Sequence, residues 1–185
     1  MNYLNKDNDG EKTELIAQIM EREKENLFKY GFYHLGSKSD TEDIMQDLFL
    51  KLCKKAKSLP YNESELKCYI IRSMQNACCD CLRRKNKSHS ITHLPLEKVL
   101  NSAKEIPAEE ITHTKQAEEF LRINRLLATL PQEQSETLRL RIYSECTFSE
   151  IAEIMQVPVT TAKSRFKYGI EKLRENLALD NFLTF

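Results

Sequence analysis

The sequence is poor in glycine, lacks tryptophan and carries no net charge. Its 185 residues include four glycines, and 28 Lys and Arg residues balance 28 Asp and Glu residues. Zero net charge excludes the global basic excess that marks many nucleic-acid-binding proteins. Apolar residues in the long segments recur at helical rather than alternating spacing, which, with so few glycines, predicts an all-α chain.

Long apolar runs and catalytic patterns are also missing. No run approaches the ~20 apolar residues that span a bilayer, and the polar start MNYLNKDNDGEKTE lacks the apolar core of a secretion signal. We therefore expect no direct membrane insertion and a cytoplasmic protein, whose six cysteines would stay reduced. No Ser, His and Asp set, carboxylate pair or glycine-rich phosphate loop stands at a meaningful spacing, so we expect neither an enzyme nor a cofactor site.

Charge is distributed unevenly along this neutral chain. Residues 67–89 hold six basic side chains and one acid, and residues 159–174 hold five basic side chains and one acid. Residues 90–120, which lie between them, hold three basic side chains and six acids. Neutrality is therefore an average over two basic patches and an acidic bridge, and local basic patches are typical of nucleic-acid contact.

The helical pattern divides the chain into two small helical domains joined by a linker. Two prolines and weak periodicity predict an acidic flexible linker over 88–114, which leaves one domain over 1–87 and another over 115–185. A capping box of Ser39 and Glu42 is expected to open the second helix. The predicted helices cover about 12–35, 40–57, 64–86 and 115–130, followed by short helices to about 178.

The stretch CYIIRSMQNACCDCLRRKNK, residues 68–87, sorts its side chains onto two faces of a helix. At 100° per residue one face is mostly apolar and collects Ile70, Ile71, Met74, Cys78, Cys81 and Leu82. The opposite face is a stripe of hydrogen-bonding side chains, namely Arg72, Asn76, Asp80 and Arg83, with Arg84 flanking it and Cys79 at its edge. The pattern predicts that Cys78 and Cys81 fill the core as small apolar residues.

The cysteines leave two alternatives open. Cys78 and Cys81, followed by His89 and His93, superficially resemble a two-Cys, two-His zinc site, although the intervening seven residues fall short of the twelve or so that a finger needs. A reactive thiol at Cys79 is the second alternative, since nearby arginines would favour the thiolate. Core filling remains the preferred interpretation, and no metal is expected.

Residues 147–175, TFSEIAEIMQVPVTTAKSRFKYGIEKLRE, have the form of a helix-turn-helix. A capping box of Thr147 and Glu150 starts a short helix, Gln156 and Val157 make a tight turn, and Pro158 suits the first turn of the next helix. On that helix the predicted inward side chains are Ala162, Phe166, Ile170, Leu173 and Leu177, and the outward ones are Thr160, Thr161, Lys163, Ser164, Arg165 and Lys167. Hydroxyls and cations at this end of the helix can reach base edges and phosphates in a major groove.

Three stretches together resemble bacterial sigma factors of the extracytoplasmic-function (ECF) group, over about residues 14–178. DTEDIMQDLFLKL (40–52) is similar to the family's helix that binds core RNA polymerase. YIIRSMQNACCDCLRR (69–84) is similar to its segment that recognises and opens the promoter minus-10 element, and 130–177 to its domain that reads the minus-35 element. The order and spacing of the three stretches together are more specific to this family than any single stretch.

The resemblance implies a promoter-specificity subunit without catalysis of its own, and it assigns residues to three contacts. Core RNA polymerase would be bound by Asp43, Gln46, Asp47 and Leu50. The minus-10 element would be bound by Arg72, Asn76, Asp80, Arg83 and Arg84. The minus-35 element would be bound by Thr160, Thr161, Lys163, Ser164, Arg165 and Lys167. Core polymerase and promoter DNA are the expected partners, with an anti-sigma protein that in this family is commonly membrane-tethered.

A stand-alone helix-turn-helix repressor or activator with an N-terminal dimerisation module is the alternative. Such a module needs neither the polar stripe of 69–84 nor the acidic helix 40–52, which favours the sigma interpretation. One residue departs from the family pattern at the turn. Gln156 stands where glycine is common, and a non-glycine residue in the left-handed conformation costs about 1–2 kcal/mol.

Overall fold

The computed structural model describes residues 4–88 and 122–182, and every regular element in these two ranges is a helix. The chain divides into two compact units, Met1–Ile91 and Thr92–Phe185. The all-α prediction is confirmed over the described ranges. Residues 89–114 of the predicted linker and the first residues of the predicted helix 115–130 lie outside the described residues.

Four α-helices and a 3₁₀ turn form the first unit. They are α1 (Leu4–Arg22), α2 (Lys24–Leu35), α3 (Lys38–Lys54), the 3₁₀ turn Ala56–Ser58 and α4 (Glu63–Ser88). Helices α2, α3 and α4 pack against one another around a buried core that includes Leu27, Tyr30, Ile44, Leu48, Leu66, Ile70 and Met74. Burial of one such side chain contributes about 1.5–3 kcal/mol, so this core fixes which faces of α3 and α4 are exposed.

The predicted single helix over 12–35 is wrong, because the chain turns at Glu23 between α1 and α2. Glu23 is buried, and its Oε1 lies 3.4 Å from Nζ of Lys67 on α4 and 3.5 Å from Nε of Arg22. Pairing offsets the cost of burying a carboxylate. The turn thus buries Glu23 on the apolar side of the helices. Hydrophobic periodicity alone could not predict a buried carboxylate at this position.

The predicted capping box of Ser39 and Glu42 is also wrong. Gly36 ends α2 in the left-handed conformation, with φ 69°, and its N–H donates to the Phe32 carbonyl at 2.8 Å. Ser37 caps α3 instead, since its Oγ accepts a hydrogen bond from the N–H of Asp40 at 3.2 Å. Helix α3 has therefore already begun when the chain reaches Ser39.

Helix α4 has the two faces that the sequence predicts. Asn62 starts it, because its Oδ1 accepts hydrogen bonds from the N–H groups of Ser64 at 2.9 Å and Glu65 at 3.2 Å. The predicted inner face is buried at Ile70, Ile71, Met74, Cys78 and Cys81 and half-buried at Leu82. The opposite stripe of the helix is consequently turned outward.

The second unit contains α5 (residues 122–128), α6 (Gln132–Ile142), α7 (Phe148–Met155) and α8 (Val159–Phe182). Helix α8 packs against α6 and α7, and the buried core includes Leu127, Leu138, Leu140, Ile151, Ile154 and Ala162. The other predicted inward residues, Phe166, Ile170, Leu173 and Leu177, are half-buried. The rings of Phe148 and Phe166 meet edge to face with centroids 5.5 Å apart, which joins α7 to α8.

Both predicted signals around α7 are confirmed. The Oγ1 of Thr147 accepts from the N–H of Glu150 at 3.2 Å, and Oε2 of Glu150 accepts from the N–H of Thr147 at 2.7 Å, which completes the capping box. Gln156 adopts the left-handed conformation with φ 54° and ψ 47°. The sequence did not predict a second left-handed residue, Glu145, whose φ is 52° in the loop before α7.

Candidate nucleic-acid and partner interfaces

One exposed stripe runs along α3. Asp43, Gln46, Asp47 and Leu50 are all exposed, and their spacing of i, i+3, i+4 and i+7 places them on one face of the helix. The buried side of α3 consists of Thr41, Ile44, Leu48 and Leu52. Leu50 is 55% exposed, so the stripe combines two carboxylates and an amide with an apolar side chain. The fold thus brings together all four residues predicted to bind polymerase.

An open groove of about 810 Å³ lies beside this stripe, between α3 and the helices α1 and α2. Its apolar lining consists of Ala17, Met20, Phe28, Met45 and Phe49, and Gln46 belongs to both the groove and the stripe. The carboxylates on the groove are paired with lysines, as in Glu21 with Lys24 at 3.5 Å. The sequence did not predict the groove, because apolar residues at helical spacing are expected in a closed core.

The predicted polar stripe of α4 is also on the surface. Asn76, Asp80, Arg83 and Arg84 are exposed and Arg72 is half-buried. The stripe from Arg72 to Arg84 extends about 18 Å at the helical rise of 1.5 Å per residue. Nη1 of Arg83 lies 3.2 Å from Oδ1 of Asp80, so the carboxylate orients the guanidinium within the stripe.

A second ion pair links the end of α4 to the start of α3. Nζ of Lys85 lies 2.6 Å from Oδ2 of Asp40. Burial alone would raise the pKa of Asp40, but hydrogen bonds from Lys85 and Ser37 outweigh that effect and hold the pKa below its ordinary value. The pair therefore favours a charged Asp40 and fixes the stripe of α4 relative to α3.

The cysteines of α4 lie mainly in the core. Cys68, Cys78 and Cys81 are buried, whereas Cys79 is half-buried at the edge of the polar stripe. Within 4–88 and 122–182, no three His, Cys, Asp or Glu side chains form a group that could hold a metal ion. His89 and His93 of the zinc alternative lie outside the described residues, and the reactivity of Cys79 stays a prediction.

Helix α8 divides its six predicted DNA-binding residues between two surfaces. Thr160, Lys163, Ser164 and Lys167 are exposed on the outward face, while Thr161 and Arg165 are half-buried on one flank. The Oγ of Ser164 donates to the carbonyl of Thr160 at 2.9 Å, which leaves its oxygen able to accept a further hydrogen bond. Nζ of Lys167 lies 3.8 Å from Oε1 of Glu171.

Tyr168 is a further exposed residue on α8, and the sequence patterns did not identify it as a candidate for DNA contact. It is 57% exposed and lies eight residues after Thr160, which at 100° per residue puts it between Ser164 on the outward face and Thr161 on the flank. Its place on the helical wheel could have identified it. An aromatic ring with a hydroxyl can contact sugar and phosphate groups next to Ser164 and Lys167.

Comparison with known proteins bears on both units. The profile of the family Sigma-70 region 2 matches residues 19–88, and that of Sigma-70, region 4 matches residues 126–175. The ECF RNA polymerase sigma factor SigW of Bacillus subtilis is 22% identical over 169 residues, which is 88% of this chain and 88% of SigW. The ECF RNA polymerase sigma factor RpoE of Cereibacter sphaeroides is 21% identical over 176 residues, 89% of this chain and 93% of that protein.

The chain belongs to the ECF sigma factors. It is a sigma subunit, and the resemblance found in its motifs is confirmed. The region 2 profile ends with α4 and the region 4 profile spans the helix-turn-helix. Two sigma regions in this order disfavour the alternative of a stand-alone repressor or activator.

Solved structures share the fold of this sigma factor. CnrH, in complex with the cytosolic domain of CnrY, gives a TM-score of 0.64 at 16% identity and covers 89% of this chain and 88% of its own. The sigma factor RpoE of Bartonella quintana, in complex with the anti-sigma factor NepR, gives a TM-score of 0.55 at 19% identity and covers 83% and 91%. No helix of the sigma factor within the described ranges is long and apolar enough to cross a membrane, and its cytoplasmic location stays a prediction.

Proposed function

We propose that this sigma factor binds core RNA polymerase through the α3 stripe and the adjoining groove. The stripe exposes Leu50 beside carboxylates, and the groove exposes apolar side chains such as Phe28 and Phe49. A partner helix with one apolar and one basic face would fit both. This combination of an exposed apolar surface and acidic neighbours on one helix is the observation that carries the proposal.

The α4 stripe contacts the minus-10 element in this proposal. Arg83 and Arg84 bind backbone phosphates, while Asn76 offers a donor and an acceptor to a base. The pairing of Arg83 with Asp80 at 3.2 Å supports a stripe whose cation is already oriented before DNA arrives. Arg72, which is half-buried, forms the inner border of the contact.

The outward face of α8 contacts the minus-35 element. Thr160, Lys163, Ser164 and Lys167 enter the major groove, and the flanking Thr161 and Arg165 reach the backbone beside it. We also propose the domain division that the sequence predicts, with one domain over 1–87, a linker over 88–114 and a second domain over 115–185. The subunit supplies promoter choice and leaves catalysis to the polymerase.

An anti-sigma protein is the proposed inhibitor. The two similar sigma structures are complexes with the cytosolic domain of CnrY and with the anti-sigma factor NepR, which supports a protein partner of the same kind here. Membrane tethering of that partner rests on the family resemblance alone. Co-purification from native cells followed by mass spectrometry would identify it.

Two carboxylates of the α3 stripe provide the test of polymerase binding. We expect Asp43→Ala and Asp47→Ala together to weaken affinity for core polymerase about tenfold or more, which corresponds to about 1.4 kcal/mol. Glu65→Ala is the matched control, because Glu65 is an exposed carboxylate outside the stripe and the groove. Equal polymerase affinities for the double variant and the control would remove the stripe from the interface.

A further inference from the structure

The end of α3 carries positive charge that none of the proposed contacts uses. Residues 51–57 contain four lysines and no acid, and we call them the lysine end: Lys51, Lys54, Lys55 and Lys57. All four are exposed. Lys51 and Lys54 belong to the last turn of α3, Lys55 follows the helix and Lys57 lies in the 3₁₀ turn.

Several other cations of the first unit are held by carboxylates. Lys85 is held by Asp40 at 2.6 Å, Arg83 by Asp80 at 3.2 Å and Lys29 by Glu25 at 2.7 Å. Among the described residues, Lys51, Lys54 and Lys55 form no ion pair. Their charge is therefore available to an external polyanion.

A favourable interaction with the helix dipole explains only part of the lysine end. One or two cations in the last turn interact favourably with the carbonyl end of a helix, and Lys51 and Lys54 are in that position. Lys55 and Lys57 lie beyond the helix. Placing four like charges within seven residues costs repulsion that a bound anion would relieve.

The sign of the charge changes along the exposed side of α3. Asp43 and Asp47 precede Leu50, and the lysine end follows it. Lys54 lies on the same line as the stripe, eleven residues after Asp43. A basic partner that suits the carboxylates would be repelled by the lysines, so the two halves fit two different partners.

We infer that the lysine end binds backbone phosphates of promoter DNA, as a contact separate from the minus-10 and minus-35 residues. The inference rests on the proposed function, which brings DNA to α4 of the same unit. The lysine end precedes α4 in the chain, and Arg72 lies about 14 Å along α4 from Glu63. Because each strand of a duplex has one phosphate per about 3.4 Å of helix axis, duplex DNA that runs along α4 from Arg72 would present about four phosphates of one strand over that length.

The test compares glutamine and arginine replacements of the lysine end. One variant carries Lys51→Gln, Lys54→Gln, Lys55→Gln and Lys57→Gln, and the matched control carries arginine at the same four positions. Each is assembled with core polymerase, and its affinity for a promoter fragment, mapped beforehand with the unmodified chain, is measured across a series of KCl concentrations. Polymerase affinity without DNA and binding to phosphatidylglycerol vesicles are measured in parallel.

The glutamine variant should bind DNA more weakly and flatten the plot of log K against log salt by about 0.7–0.9 for each phosphate that it no longer neutralises. We expect a change equivalent to about two phosphates, unchanged polymerase affinity and full retention in the arginine control. Unchanged salt slopes overturn the inference. An effect confined to polymerase binding would identify the polyanion as protein, and an effect confined to vesicle binding would identify it as lipid. Either result overturns the inference. If the unmodified chain gave no polymerase-dependent promoter binding, the proposed function itself would fail.

Discussion

Gly31 allows α2 to approach both α3 and α4 closely. A Cβ atom there would lie 2.5 Å from Cε of Met74 on α4 and 2.7 Å from Cγ2 of Thr41 on α3. We predict that Gly31→Ala lowers the free energy of unfolding by about 1–3 kcal/mol, because a well-packed core resists added volume. Urea denaturation measures the change.

Gly10 provides the control for that substitution. A Cβ atom at Gly10 meets nothing within 4 Å, and alanine is favoured over glycine in a helix by about 1 kcal/mol. Gly10→Ala should therefore leave stability unchanged or raise it. A Gly31→Ala protein as stable as its parent would show that the three helices do not depend on this close approach.

The pair of Asp40 and Lys85 gives stability a pH dependence. The pKa of Asp40 is lower in the folded protein than its ordinary value, so the stabilisation is present at neutral pH and is lost as pH falls through the folded pKa. We predict that Lys85→Met lowers the free energy of unfolding by about 0.5 kcal/mol at pH 7. The difference from the parent should shrink as Asp40 is protonated. A difference that stays constant through the acid range would contradict this account.

At the scale of the element, the loops that flank α7 contain two left-handed residues other than glycine. Glu145 and Gln156 have φ values of 52° and 54°, a conformation that glycine adopts without steric cost. We predict that Glu145→Gly and Gln156→Gly each raise the free energy of unfolding by about 0.5–1 kcal/mol. Thermal and urea denaturation measure the gain.

Glu153 is the matched control for these glycine substitutions. It lies inside α7, where glycine costs about 1 kcal/mol relative to alanine. Glu153→Gly should therefore destabilise the protein while the two loop substitutions stabilise it. If all three substitutions changed the free energy of unfolding in the same direction, backbone conformation would not govern their effect.

The elements that the sequence predicted correctly are those whose signals are local. The capping box of Thr147 and Glu150, the turn at Gln156 and the two faces of α4 each depend on residues within a few turns of one another. The turn at Glu23 depends instead on Lys67 of α4. The cap at Ser37 is local too, but Ser37 and Ser39 lie two residues apart and both are common cap residues, so the pattern selected the wrong one. The groove beside α3 depends on how three helices meet, which no pattern in one segment encodes.

At the scale of the whole molecule, zero net charge conceals surfaces of opposite sign. Carboxylates occupy the α3 stripe, whereas cations concentrate at the lysine end, on the α4 stripe and on α8. A subunit that binds both a protein and DNA benefits from this separation, because each partner meets a surface of complementary charge. The family and its three candidate contacts could be inferred from motif order, but the exposure of each residue required the fold.

Two lysines on opposite sides of α8 test which face meets DNA. Lys163 and Lys172 are both exposed and lie about 180° apart at 100° per residue. Lys172 is on the side of Arg165 but lies about 10 Å farther along α8, beyond the proposed contact. We predict that Lys163→Ala weakens promoter binding by the polymerase complex and reduces the salt slope by about 0.9, as expected for one phosphate contact. Lys172→Ala should leave both quantities close to the parent values. Equal effects of the two substitutions would show that the outward face is misassigned.

Transcription by reconstituted polymerase tests the central claim most directly. Core RNA polymerase is incubated with genomic DNA of the host, with and without the purified chain, and the 5′ ends of the transcripts are sequenced. We predict new start sites that require both proteins and share two upstream sequence blocks at minus-10 and minus-35. A chain that binds DNA tightly by itself, while the mixture yields no new start site, would contradict the account.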